Sequence, residues 1–148
     1  MAGSPNNFFA TNITNLAAQQ GPLETQKVIT INPYAEGITT YMVEPLSLNN
    51  PVTIFNIVGD VATIGTNFEF YLPSTNTLLG QRVIIKNSMV YDDVLVYPGS
   101  PAVLIDEGEY ASIQVFRVGT PTKLGAITLE ANPTYKDSWY ILNTFVQF

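Results

Sequence analysis

Neither cysteine nor histidine occurs anywhere in the 148-residue chain. Without cysteine there is no disulfide and no thiolate metal site, so the fold must be held by its core and its hydrogen bonds. Without either residue the commonest catalytic bases, nucleophiles and transition-metal ligands are missing, and serine triads of the usual kind are excluded. Charge is scarce as well. Only 12% of residues are charged, roughly half the fraction of an average soluble protein. The six Lys and Arg are scattered singly and the net charge is −6, so no basic stripe exists to neutralise phosphates. Neither nucleic acid nor an anionic membrane is an expected partner. No apolar run approaches the roughly 20 residues that span a bilayer, and Ala2-Gly3-Ser4-Pro5-Asn6-Asn7 lacks the basic and apolar regions of a secretory signal.

What the chain has is apolar and turn-forming residues: 46% are hydrophobic, with 10 Gly, 10 Pro, eight Tyr and eight Phe. A chain of this length buries about two-thirds of its unfolded surface around one core, which predicts a single domain. A surface this poor in charge resists association weakly, and suits a protein packed in an assembly. Residues 1–22 contain no charged side chain and show no sustained period of 2 or 3.6. They read as an extended N-terminal arm. Its apolar residues Phe8, Phe9, Ile13 and Leu16 are candidate anchors for a neighbouring subunit; an arm folded back on its own domain, or a short helix around Asn15 to Gln20, is the alternative.

From residue 23 to residue 148 the pattern predicts a β-domain. Short β-rich runs alternate with turn residues, which signals a sandwich or barrel rather than βαβ units. The expected strands are Gln26 to Ile31, Ile38 to Val43, Val52 to Ile57, Asn67 to Leu72, Gln81 to Lys86, Asp93 to Tyr97, Tyr110 to Val118, Leu124 to Glu130 and Ser138 to Val146. Turn chemistry separates them, as at Asn32-Pro33, Asn49-Asn50-Pro51, Gly59-Asp60 and Asn132-Pro133. Alternation assigns the faces. Phe68, Phe70 and Leu72 oppose Asn67, Glu69 and Tyr71; Val83 and Ile85 oppose Arg82, Ile84 and Lys86; Ala111, Ile113 and Val115 oppose Ser112, Gln114 and Phe116. Outward apolar positions need cover, which makes Ile84, Phe116 and Leu142 candidate oligomer contacts, with Tyr140 another outward aromatic.

One ordered set of these segments resembles a known family. Leu72-Pro73-Ser74 leads to Gly80-Gln81-Arg82-Val83-Ile84-Ile85-Lys86-Asn87-Ser88, then to Val94-Leu95-Val96-Tyr97-Pro98. Leu104-Ile105, the turn Asp106-Glu107-Gly108-Glu109, the run Ala111 to Phe116, and Ser138-Trp139-Tyr140-Ile141-Leu142 follow. The order resembles the β-sandwich domains of tailed-bacteriophage appendage and decoration proteins, of head decoration, head fibre or tail fibre type, between about Leu72 and Leu142. The family's usual turn before the Trp is replaced by Tyr135-Lys136-Asp137-Ser138, and the segment Gly119 to Pro133 is longer. The resemblance implies a jelly-roll-like antiparallel β-sandwich in a virion structural protein, usually a homotrimer.

The remaining chemistry is thin. A paired-carboxylate glycosidase would draw on Asp92, Asp93, Asp106, Glu107 and Glu109, but these acids sit in polar, turn-like positions. The turn Asp106 to Glu109 also offers oxygen ligands for Ca²⁺, yet lacks the spacing of a calcium loop. Single glycines at turns make no phosphate-cradling loop. Tyr34, Tyr41, Tyr71, Tyr91, Tyr97, Tyr110, Tyr135 and Tyr140 suit core, subunit contacts or sugar stacking. The expectation is therefore a non-enzyme without cofactor or metal. Together with the resemblance, this leads to the expectation of a capsid decoration protein bound to the major capsid protein or other virion proteins, assembled in the host cytoplasm. A tail fibre or spike component is the near alternative, and a carbohydrate-binding module the alternative of another class.

Overall fold

The computed structural model describes residues 26–99, 102–106 and 108–147, with side chains described as far as residue 142. The arm and its anchors Phe8, Phe9, Ile13 and Leu16 lie outside the described residues, as does Glu107. The chain is all-β. In order it forms β1 (Gln26–Ile31), a single helical turn α1 (Pro33–Glu36), β2 (Thr40–Met42), a 3₁₀ turn (Pro45–Ser47), β3 (Val52–Gly59), β4 (Phe68–Tyr71), β5 (Arg82–Met89) and β6 (Val94–Tyr97). Then come β7 (Val103–Ile105), β8 (Glu109–Tyr110), β9 (Ile113–Val115), β10 (Lys123–Ala131) and β11 (Ser138–Gln147).

Two mixed sheets result. The seven-stranded sheet runs β1-β3-β5-β10-β11-β7-β8, and the four-stranded sheet runs β2-β4-β6-β9. From β1 to β6 every odd strand lies in the larger sheet and every even strand in the smaller, so the chain changes sheet at each connection. Two crossings return it to the first sheet pointing the same way. Hence β1, β3 and β5 are parallel neighbours, as are β2, β4 and β6. A parallel pair needs a crossover connection, and here the crossover is a strand of the opposite sheet rather than a helix. β9 and β10 then close the stack antiparallel, β9 beside β6 and β10 beside β5.

This corrects the expected antiparallel pairing: five of the nine pairings among the described residues are parallel. The expected run Tyr110 to Val118 is also broken. Ala111, expected inward, is exposed, because the chain leaves the larger sheet after β8 and enters the smaller at β9. β7 was not anticipated; it joins β11 in parallel.

The predicted faces otherwise hold. Phe68, Phe70, Val83 and Ile85 are fully buried. Phe55 of the larger sheet meets Phe70 of the smaller edge-on, ring centroids 5.0 Å apart, and Tyr41 stacks on Phe70 at 5.6 Å. These rings and Trp139, which is fully buried, belong to one core between the sheets. A fully buried side chain of this size contributes roughly 1.5–3 kcal/mol.

Asn87, an inward residue of β5 and 1% exposed, bridges the layers. Its Nδ2 donates to the carbonyls of Asp92 (3.1 Å) and Val115 (3.0 Å), and its Oδ1 accepts from Met89 N (2.9 Å).

Candidate functional site

Of the acids named for catalysis, Asp92, Asp93 and Glu109 make side-chain hydrogen bonds or ion pairs within the chain. Asp92 accepts hydrogen bonds from Thr63 Oγ1 and Ile64 N, which fastens the connection between β3 and β4. Asp93 accepts from Gln114 Nε2 (2.8 Å) and Arg117 N (2.9 Å) and pairs with Arg117 Nε at 3.2 Å. Asp106 is exposed in the turn after β7, and Glu109 pairs with Lys136 at 2.8 Å. That contact holds the exposed Lys136 ammonium above its ordinary pKa. Among the described residues no group of three His, Cys, Asp or Glu is placed to hold a metal ion.

A more heavily bonded acid went unnoticed in the sequence. Asp137, just before β11, accepts from Ser74 Oγ (2.6 Å), Thr75 N (2.8 Å) and Thr75 Oγ1 (2.6 Å). Burial pushes its carboxyl up, but these three donors outweigh it and leave the pKa below the ordinary carboxylate value. Next to it Ser138 N donates to Thr75 Oγ1, and Trp139 Nε1 donates to Pro73 O at 2.9 Å. These hydrogen bonds tie the connection after β4 to the start of β11.

Two outward faces among the described residues carry aligned apolar or aromatic side chains. The first is the outer face of the larger sheet. Val28, Ile54 and Ile84 form one cross-strand row over β1, β3 and β5, continued by Thr128 of β10. Val28 is 61% exposed, and Ile54 and Ile84 are half-buried. Ile84 is thus outward as expected. Leu142, 41% exposed, is the extra residue of a bulge in β11, where Thr128 pairs with Asn143 but Leu129 with Ile141. Phe116 differs: it follows β9 in the connection to β10, half-buried, with Lys123 Nζ 5.6 Å from its ring centroid. The structure does not bring it together with Ile84. At the near end of both sheets, β1 and β2 have no further strand beside them among the described residues.

The second surface is aromatic. Met42, Tyr71 and Tyr97 occupy one register row across the parallel strands β2, β4 and β6, on the outward face. The Tyr71 and Tyr97 rings stack, centroids 4.9 Å apart and planes 15° from parallel. The Tyr71 hydroxyl donates to Glu69 Oε1 at 3.1 Å, and burial followed by that carboxylate raises its pKa. The other tyrosines are dispersed: Tyr41 is in the core contact already described, Tyr140 is half-buried on β11, and Tyr34, Tyr91, Tyr110 and Tyr135 are exposed singly.

Comparison with protein-family models, with curated proteins and with solved structures gives no match to this chain.

The Tyr71–Tyr97 pairing had a faint sequence signal. Each strand of the smaller sheet up to β6 ends shortly before a proline: Met42-Val43-Glu44-Pro45, Tyr71-Leu72-Pro73 and Tyr97-Pro98. That shared ending marks equivalent points where the chain leaves the same sheet.

Proposed function

We propose that the chain is a non-enzymatic structural protein of a tailed-bacteriophage particle, most specifically a decoration protein that binds and stabilises the capsid lattice. The observation that carries the reading is the outer face of the larger sheet. There Val28, Ile54 and Ile84 line up as an apolar row on a protein with only 12% charged residues. Such a face gains by being covered, and many weak contacts repeated over a lattice give strong attachment. The occupied hydrogen-bonding of Asp92, Asp93 and Asp137 supports the non-enzymatic reading. The order of segments from Leu72 to Leu142 supports the phage assignment. On this reading the two facing sheets form a sandwich of stacked crossings, its copies associate as trimers, and its partner is the major capsid protein or another virion protein.

The deciding experiment is to purify the particles whose genome encodes this chain, identify the protein in them by mass spectrometry, and locate it by electron cryomicroscopy. Density on the outside of the head lattice is expected. Density in a tail fibre or spike would replace the decoration role by host contact, and absence from the particle would overturn the virion reading.

A further inference from the structure

The row Met42–Tyr71–Tyr97 does not end at the strands. Beyond each one the chain turns away, and the turns wall a groove of about 610 Å³ lined by Met42, Glu44, Tyr71, Pro73, Tyr97 and Pro98 among others. Clefts that take small ligands span about 300–1,000 Å³. The walls are fixed. The hydrogen-bond ladder of the smaller sheet continues past the strand ends, with Val43 N donating to Tyr71 O at 2.9 Å and Leu72 N to Tyr97 O at 2.8 Å. Gly99 packs so closely on the Leu72 carbonyl that a Cβ there would collide with it. Mutual stacking and the Glu69 contact hold the tyrosines, so little side-chain freedom remains to be lost on binding.

The chemistry of the lining selects the ligand. Its apolar part is ring, thioether and proline. Its polar part is the Glu44 carboxylate and the Tyr71 and Tyr97 hydroxyls, with the Glu69 carboxylate held on the Tyr71 hydroxyl but outside the lining; no Lys or Arg lines it. A fitting ligand therefore carries an apolar face, several hydrogen-bond donors and no negative charge. A proline-rich peptide would match the aromatic lining, but its prolines have no N–H to offer these acceptors. Sugar rings have both an apolar face and hydroxyl donors. We propose that the groove over the ends of β2, β4 and β6, built on the stacked Tyr71 and Tyr97, binds a neutral oligosaccharide. The site lies on the smaller sheet, apart from the Ile84 row of the larger one.

The test uses the full chain in ligand-observed NMR and calorimetry. The probes are neutral oligosaccharides of glucose, galactose, mannose, rhamnose and N-acetylglucosamine, with a sialylated oligosaccharide and a proline-rich peptide as comparisons. At least one neutral glycan should bind, and Tyr71→Ala and Tyr97→Ala should each weaken it about tenfold, the equivalent of roughly 1.4 kcal/mol. Tyr97→Phe keeps the ring and should retain most of the affinity. Thermal melting of each variant establishes that it is folded. The proposal is overturned if no neutral glycan of the panel binds, if affinity survives both alanine substitutions in folded protein, or if the peptide or the sialylated glycan is preferred.

Discussion

Thr75 and Asp137, 62 positions apart in the chain, are held together by two hydrogen bonds, Thr75 N and Thr75 Oγ1 both donating to Asp137 Oδ1 at 2.8 and 2.6 Å. With Ser74 on Oδ2 and the Trp139–Pro73 bond beside it, this contact clasps the connection after β4 to the start of β11. Asp137→Asn weakens charge-assisted bonds and should cost about 1–3 kcal/mol, read as a lower denaturation midpoint.

The same residue gives a pH dependence. Against the upward push of burial, the Asp137 pKa is lower in the folded protein than the ordinary carboxylate value, because Ser74 and Thr75 donate to its carboxylate. Its contribution is then fully present above that value and is lost as pH falls through the folded pKa. Melting temperature measured from neutral pH down through about 3 should drop more steeply in the wild type than in Asp137→Asn. Parallel profiles would remove Asp137 from the acid response.

Asn87→Ala should cost about 2–4 kcal/mol in chemical denaturation, because the carbonyls of Asp92 and Val115 and the N–H of Met89 each lose a buried partner. A cost near that of an exposed substitution would mean that water replaces the side chain.

Thr53 is fully buried in β3, and its Oγ1 is the one buried side-chain polar atom without a partner among the described residues. Thr53→Val keeps the shape and removes the unsatisfied hydroxyl, so it should stabilise the protein by about 1 kcal/mol. A loss of stability would show that the hydroxyl has a partner in solution.

Charge placed on the outer face separates association from folding. If the proposed trimer forms through the Val28–Ile54–Ile84 row, Ile84→Lys should leave a monomer in light scattering with little change in melting temperature, since Ile84 is only half-buried within the chain. A wild-type protein already monomeric at micromolar concentration would show that the row Val28–Ile54–Ile84 is not a self-contact.

Removal of residues 1–21 tests the arm anchors Phe8, Phe9, Ile13 and Leu16. The β-domain should fold with a similar melting temperature, while incorporation into particles falls sharply, as attachment by several joined contacts requires. Full occupancy of the truncated protein would remove the arm from the mechanism and leave attachment to the sheet face alone.

The longer strands of the larger sheet, β1, β3, β5, β10 and β11, were legible because their signal is local. Val83, Ile85 and their neighbours alternate with Arg82, Ile84 and Lys86, and the buried pattern of β5 follows that alternation residue by residue. Trp139 could be assigned a need for a hydrogen-bond partner from its chemistry, but not the identity of Pro73. Val103–Ile105 escaped because a three-residue strand carries too short a period to register, and the inward assignment of Ala111 failed because alternation does not reveal where the chain changes sheet.

By itself the sequence determined that this is a β-protein, where most of its strands lie, which side chains face the core, and which catalytic chemistries lack their residues. These follow from side-chain type and a period of 2 along one strand. The tertiary structure alone decided that β1, β3 and β5 run parallel, that Tyr71 meets Tyr97, and that Asp137 meets Thr75. Alternation within a strand is the same whether its neighbour runs parallel or antiparallel. Direction is set by the connections, each of which either turns back within a sheet or crosses to the other, and that choice depends on burying both inner faces at once.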